Sequence, residues 1–504
     1  MIGKEPRTEM ALHSTGDVHL LDGTRPLTRE AVGGKAYGLN RMSALGLPVP
    51  PAFAIGVGVC PAYHQAGGRI PGPVWADVLE HLAELERRTG RRFGDPGAPL
   101  LVSVRSGAAR SMPGMMDTVL NLGLTEPLRD ALAEQSGNRE WAEDTWRRFV
   151  RSYTDTVGTA PPADPVEQLR AAVGAVFQSW FSERAVAYRE RHGIDDLVGT
   201  AVTVQAMVFG NLDADSGTGV VFTRDPNTGE PGLFGEWLAR AQGEDVVSGE
   251  RTPQPLAALA KAQPASHAEL VRIARVLEED HRDMVDIEFT IESGRLYVLQ
   301  ARAGKRTPLA AARIAVDMAG EGLIDRRTAL TRITPEQARR LEEQGGVSSG
   351  GEKLAEGLGA SPGVGAGIAV TDTEEALRLT DEGKAVVLVR PATSPADVPA
   401  MFASSAVVTE HGGSTSHAAL VCREIGLPCV VGCGDGTMRD LAGRTVTVDG
   451  TAGVVLAGLA DTERNDAEHE AVRTLASWAG ELTGRTGPLS ELLEAVVDAA
   501  PTKQ

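Results

Sequence analysis

At 504 residues the chain is long enough for two or three domains with large cores. Its 68 acidic against 50 basic residues leave a net charge of -18, which argues against nucleic acid or an anionic membrane as the main partner. Anionic nucleotides stay open, because phosphate sites are built locally. No apolar run approaches the ~20 residues of a membrane span, and the first 20 residues lack a signal-peptide core. Four cysteines in such a length point to reduced thiols and a cytoplasmic location. Cys422, Cys429 and Cys433 match no common zinc spacing and read as packing thiols.

The first segment with chemistry in it is Gly33-Gly34-Lys35-Ala36-Tyr37-Gly38-Leu39. A glycine pair before a lysine can hold phosphate oxygens between backbone amides and one ammonium, although this is not a Walker loop. Next, the apolar run Leu101-Val102-Ser103-Val104 delivers Arg105 into a Gly-, Ser-, Pro- and Met-rich loop that contains Gly114, Met115 and Thr118. Arginine clamps phosphate because its planar fork bonds two oxygens at once, though from the residues alone a surface ion pair is the ordinary reading. Strand-like Val202 to Phe209, with Gln205 inside it, and Gly217 to Pro226 follow.

In Asp286-Ile287-Glu288-Phe289-Thr290-Ile291, alternation puts the two acids on one strand face and the apolar residues on the other. A three-residue loop, Ser293 to Arg295, would return Gln300 and Arg302 to the face of the acids. That face would offer carboxylate and amide oxygens to magnesium and a guanidinium to phosphate. A half-exposed hairpin with an ion pair fits the same pattern.

Gly345 to Gly351 is flexible by composition and reads as a linker. Beyond it, apolar runs such as Ala385 to Val389 and Thr445 to Val448 alternate with helical patterns, as in a small mixed α and β domain ending near Gly458. Residues 459–504 read as one or two polar helices and a loose tail. Inside the small domain, Gly412-Gly413-Ser414-Thr415-Ser416-His417-Ala418-Ala419 places a histidine at the start of a helix that Gly426 should stop. Glycines let backbone amides approach an anion, and a helix N-terminus favours one. The same positive end keeps an imidazole neutral and nucleophilic. A histidine that merely satisfies a helix end is the plainer alternative. Ser266-His267-Ala268, which lacks the glycines, is read that way.

The glycine-rich histidine run, with Gly426-Leu427-Pro428 after it, resembles the phosphohistidine domain of the pyruvate phosphate dikinase family. The resemblance extends through Ser103 to Leu124, Val202 to Pro226, Gly243 to Val247 and the Asp286 to Arg302 hairpin, and covers roughly Leu27 to Gly458. It implies an α+β multidomain protein. An ATP-grasp nucleotide-binding region would span 1–344, a linker 345–352, a swivelling phosphohistidine domain 353–458 and a helical tail 459–504. It implies that His417 attacks the β-phosphate of Mg-ATP. Lys35, Arg105, Gly114, Met115, Thr118, Gln205, Asp286, Glu288, Gln300 and Arg302 would bind ATP, with Glu288 and Gln300 also holding Mg2+. Arg224 and Glu244 are expected near the site, and Thr415 is a candidate regulatory phosphosite.

Inorganic phosphate would then accept the terminal phosphoryl group, giving pyrophosphate and a phosphohistidine that passes its phosphoryl group to pyruvate. The family's pyruvate barrel needs about 250 residues, against 46 after Gly458 (504 minus 458). The expectation is therefore an ATP-dependent phosphotransferase that works with a separate barrel protein, and with a second copy of itself as a further partner. Its ligands would be ATP, AMP, phosphate and pyrophosphate, with no nucleic acid or membrane partner. Two alternatives are a phosphotransferase acting on another small-molecule acceptor and a nucleotide-sensing regulatory remnant. Intact Lys35, Arg105, Glu288, Gln300, Arg302 and His417 speak against the remnant.

Overall fold

A computed structural model describes residues 16–110, 118–191, 194, 199–247, 253–343, 345–349, 351–459, 461–464 and 470–498. The chain divides into two compact units, 1–208 and 209–504. Each is mixed α and β. The division falls inside the stretch that sequence assigns to one nucleotide-binding region.

The first unit is built on five antiparallel strands, β1 (Val18–Leu20), β2 (Ala52–Ile55), β3 (Val102–Gly107), β4 (Thr118–Leu122) and β5 (Ala201–Ala206), in the order β1-β2-β5-β3-β4. Val102, Val104, Val202 and Val204 are buried, as expected of β-branched residues in central strands. Helix α1 (Arg29–Ala44) is capped by Thr28, whose side chain accepts from Ala31 N, and is broken at Gly33. Helix α2 (Pro165–Ser179) starts with Asp164 as cap and Pro165 in its first turn, and buries Leu169, Val173, Val176 and Phe177.

The second unit holds two large sheets. In the first, β6 (Gly217–Arg224), β7 (Pro231–Ala239), β8 (Gln254–Pro255), β9 (Val285–Glu292) and β10 (Arg295–Ala303) run in the order β8-β7-β6-β9-β10, all antiparallel. Ile287, Phe289 and Ile291 are buried on the face opposite Asp286 and Glu288, and helix α3 (Pro264–His281) packs on β9 and β10. Helices α4 (Pro308–Gly320) and α5 (Pro335–Glu343) lead to β11 (Gly345–Ser349). The second sheet has eight strands: β12 (Lys353–Glu356), β13 (Leu358–Ser361), β14 (Val364–Val370), β15 (Val386–Arg390), β16 (Ala406–Thr409), β17 (Cys429–Val431), β18 (Thr445–Asp449) and β19 (Val454–Ala457). Their order is β12-β19-β18-β14-β15-β16-β17-β13. Its centre, β14 to β17, is parallel, and the run Val386–Val389 is buried on both faces.

Two segments differ from their sequence reading. Gly345–Ser349, expected as linker, pairs antiparallel with β20 (Asp461–Arg464). Backbone pairing holds it, which a glycine–serine composition does not disclose. The tail is also more firmly held than its polar composition suggests. Helices α7 (Glu470–Thr483) and α8 (Leu489–Asp498) bury Leu475, Ala479, Leu489, Leu492, Leu493 and Val496 in one core with Ile314 and Met318 of α4. Their apolar residues recur every three or four positions, so one stripe packs while the average stays polar.

Candidate functional site

In the first unit, one sheet face collects four of the candidate residues. Arg105 is the cross-strand partner of both Thr118 and Thr203, and Ser103 is that of Gln205, so these side chains share a side of the sheet. Gly33 (φ 77°) breaks α1 because its backbone meets Gly107, where a Cβ would overlap the Gly107 carbonyl. Gly34 N donates to Ala108 O at 2.9 Å. A Cβ on Gly107 would lie 3.9 Å from Lys35 Cβ and 4.0 Å from Thr203 Oγ1. Lys35, exposed at the restart of α1, is therefore carried over the end of the Arg105 face. Gln205 is buried and donates through Nε2 to Pro50 O at 3.3 Å. Thr203, not anticipated from sequence, has a buried hydroxyl with no hydrogen-bond partner among the described residues. Gly114 and Met115 lie outside the described residues.

In the second unit, the β9–β10 hairpin turns through two residues, not three. Glu292 pairs with Arg295 across Ser293 (φ 48°) and Gly294 (φ 77°), a left-handed pair suited to a tight hairpin. Such a turn alone would set Glu288 opposite Leu299. A bulge between Glu288 and Phe289 shifts the register by one, so Glu288 faces Gln300 and Asp286 faces Arg302. The expected common face forms, by a different route.

Across the sheet, Asp286 pairs with Phe222 and Glu288 with Val220, while Val220 pairs in turn with Glu236. Glu236, Glu288 and Gln300 thus form one row, and Phe222, Asp286 and Arg302 the next. Arg302 Nε donates to Asp286 Oδ2 at 2.8 Å, with the Asp286 side chain 2% exposed and that of Arg302 47%. Burial pushes the Asp286 carboxyl up against the opposing pull of Arg302. Its second oxygen, Oδ1, is buried with no partner among the described residues.

This oxygen-rich row suits a hard cation. Among the described residues no three His, Cys, Asp or Glu side chains cluster as a cage. Magnesium characteristically takes only one or two protein oxygens and completes its shell with phosphate and water. Glu288 and Gln300, side by side, fit that pattern. Arg224 does not belong to the row's chemistry: it is buried and forked onto Glu278 and Glu321. Glu244 is exposed on the short helix Gly243–Val247.

The histidine loop rests on the same sheet face, through Glu236. Its carboxylate accepts from Ser414 N at 2.9 Å and from Thr415 Oγ1 at 3.2 Å. A Cβ on Gly413 would overlap that carboxylate, so a larger residue there would have to displace the Glu236 side chain from its bonds to the loop. Glu236 and Glu288 lie two strands apart, about 10 Å at ~4.8 Å per strand. Helix α6 (His417–Ile425) starts at the histidine itself. Ser416 is its cap, accepting from Ala419 N, and Gly426 (φ 69°) ends it. Thr393 Oγ1 lies 2.9 Å from His417 Nδ1. With Nδ1–H donating to that hydroxyl, Nε2 keeps its lone pair for attack. Burial lowers the His417 pKa, with Asp397 pulling the other way, so the ring is neutral at pH 7. Thr393, Asp397 and Glu236 were not anticipated. They approach His417 or its loop from elsewhere in the chain, and only the glycine pair hinted that something comes close.

Known proteins decide the family. The description "Pyruvate phosphate dikinase, AMP/ATP-binding domain" matches residues 68–269 and 259–322, and "PEP-utilising enzyme, mobile domain" matches 382–453. The chain belongs to the pyruvate phosphate dikinase family. It is 42% identical to a pyruvate, phosphate dikinase of Rhizobium meliloti, over 85% of this chain and 56% of that one. The corresponding figures are 43%, 84% and 53% for dikinase 2 of Zea mays, and 39%, 86% and 57% for the dikinase of Clostridium symbiosum. The chain spans about half the length of the curated relatives it matches. His417 lies within the mobile-domain match and the Asp286–Arg302 hairpin within the nucleotide-domain match. Among the described residues no helix is long and apolar enough to cross a membrane.

Proposed function

We propose that this chain catalyses the nucleotide half of a pyruvate phosphate dikinase reaction. His417 Nε2 attacks the β-phosphorus of ATP, AMP leaves, and a pyrophosphoryl group is held on the ring. Inorganic phosphate then takes the terminal phosphoryl group, leaving pyrophosphate and phosphohistidine. The observation that carries this reading is the neutral, half-buried His417 at a helix start, its loop held on the sheet face that bears Asp286, Glu288, Gln300 and Arg302.

Each group has a task. Thr393 holds the ring in the tautomer that frees Nε2. In the first unit, Lys35 and Arg105 bind phosphate oxygens, with Thr118 and Gln205 lining the same face. Gly114 and Met115 are assigned to ATP binding as well. Arg302, oriented by Asp286, offers its half-exposed fork to phosphate. Glu288 and Gln300 would hold Mg2+, which when bound offsets the charge developing on the transferred group. Positioning and charge neutralisation then carry most of the rate.

The region 1–344 is read as ATP-grasp and 353–458 as a swivelling histidine domain, joined around 345–352 and followed by the helices of 459–504. Pyruvate is assigned to a barrel acting with this chain, and a second copy of the chain is a further proposed partner. Thr415 is proposed as a regulatory phosphosite. Its hydroxyl is buried against Glu236, so a kinase needs the loop away from β7.

ATP labelled separately at the β and γ positions tests the scheme. Without phosphate, both labels should enter the protein. With phosphate, the γ label should leave as pyrophosphate while the β label stays. A γ label that remains on the protein in the presence of phosphate would show simple γ-phosphoryl transfer and refute the scheme.

A further inference from the structure

Arg423 is 1% exposed, among the most deeply buried large side chains of the chain. It lies on α6, six residues after the histidine, and reaches back toward the helix start, as helical side chains do. Nη2 donates to Ser414 O at 2.6 Å, inside the histidine loop. Nε is shared between Ala360 O, at the end of the eight-stranded sheet, and Asn227 Oδ1, in the β6–β7 turn, each at 2.8 Å. The guanidinium carbon stands 5.8 Å from the ring centre of Phe222, the strand neighbour of Asp286. Among the described residues Arg423 makes no ion pair, and Nη1 is buried with no hydrogen-bond partner.

A cation buried without a bonded carboxylate is costly, and the cost persists only where the surroundings hold it in place. Here its acceptors come from three places at once: the histidine loop, the sheet that carries that loop, and the β6–β7 turn beside the acid row. Glu236 grips the amide of Ser414 while Arg423 grips its carbonyl. One residue of the loop is thus held through the two peptide groups that flank its Cα, each time by a group tied to β6–β7.

We propose that Arg423 is a positioning residue that sets the Ser414–His417 loop according to how α6 packs on the β6–β7 turn. Asn227 Oδ1 and the Phe222 ring are the packing-dependent partners, and the Ser414 carbonyl is the output. Away from β6–β7 the guanidinium would keep Ala360 and Ser414 but lose Asn227 and Phe222, so the loop is held in its attacking geometry only when α6 is seated. The proposal rests on the phosphohistidine reading for its purpose, though not for its structural content.

The test uses Arg423→Gln, Arg423→Lys and Asn227→Ala in the full chain. Hydrogen exchange of the 412–417 amides is measured without nucleotide, and single-turnover labelling of His417 with ATP is measured alongside. Arg423→Gln should lose at least about tenfold in loop protection and about 10²-fold in labelling rate, the scale set by misplacing a reacting group. Its half-saturating ATP concentration should stay within about twofold of wild type, because positioning acts on the step after binding. Arg423→Lys, which keeps the charge and one donor but not the fork, should recover part of both losses. Asn227→Ala should shift both in the same direction by less.

Wild-type loop protection in either Arg423→Gln or Asn227→Ala would overturn the proposal, as would a rise in half-saturating ATP that accounts for the whole rate loss. If Arg423→Gln does not fold, Asn227→Ala decides, since it leaves Arg423 and the backbone bonds of the turn intact. Should wild-type chain take no label at all, the phosphohistidine reading fails, and hydrogen exchange alone still decides the role of Arg423.

Discussion

The β9–β10 hairpin and the histidine loop, both on one sheet face, hold charge in opposite ways. In the hairpin, Asp286 and Arg302 are cross-strand partners, bonded at 2.8 Å, so the buried carboxylate has its counter-charge beside it. Behind the loop, Arg423 is the deeply buried charge, and among the described residues its hydrogen bonds go to carbonyl and amide oxygens and none to a carboxylate. A paired charge stays in place whatever packs around it. A charge held by acceptors on three segments depends on all three being in position. The hairpin thus provides a fixed binding surface, and the loop one whose geometry responds to packing.

The largest effect should come from the fixed surface. Glu288→Ala should lower labelling of His417 by at least about 10²-fold while leaving the melting temperature nearly unchanged, because a half-exposed strand acid contributes little to the core. Single-turnover labelling and thermal melting, run together, check both halves. Near-normal labelling would place the metal-binding acid elsewhere.

Breaking the pair should be felt in stability. Arg302→Gln leaves the Asp286 carboxylate buried beside no cation. Arg302 is half exposed, so the loss should be only about 1–2 kcal/mol at pH 7. Without Arg302 the folded-state pKa of Asp286 rises further above its unfolded value. The deficit should therefore be present at neutral pH and shrink as pH falls through that raised pKa. Urea unfolding at a series of pH values reads this directly, and a deficit that grows on acidification would contradict it.

At the loop, His417 is the titrating group. Its pKa lies below the ordinary value of about 6.5, because burial disfavours the imidazolium. Labelling should hold nearly constant as pH falls through 6.5 and decline only below it. A decline centred at or above 6.5 would mean that the ring is not desolvated. The smallest effect is expected from Ser416→Ala. The cap bond to Ala419 N is long, at 3.5 Å, so about 0.5 kcal/mol of stability should be lost. Labelling should fall only slightly, since Ser414 and Thr415 keep Glu236.

The hairpin was easier to read in the sequence than the loop, for physical reasons. Alternation in Asp286-Ile287-Glu288-Phe289 fixes which side chains share a face, and that does not depend on the rest of the fold. Even there the turn length misled, since Ser293-Gly294 closes the hairpin and a bulge restores the expected partners. The His417 helix start was legible too, from glycines, hydroxyl caps and the stop at Gly426. What holds the loop was not. Glu236, Thr393 and Arg423 are ordinary residues in ordinary contexts, and only the tertiary fold brings Glu236 against Gly413, 177 residues away (413 minus 236). The tail helices were underestimated because composition averages over a stripe that packs and a face that does not.

The central claim is that His417 is the residue that ATP phosphorylates. Wild-type chain and His417→Asn should each be incubated with β-labelled ATP and magnesium, digested at alkaline pH, and their peptides mapped. The account predicts acid-labile label in the wild type confined to the peptide containing His417, and none in the variant. Label persisting in His417→Asn, or found on any other peptide of the wild type, would contradict it.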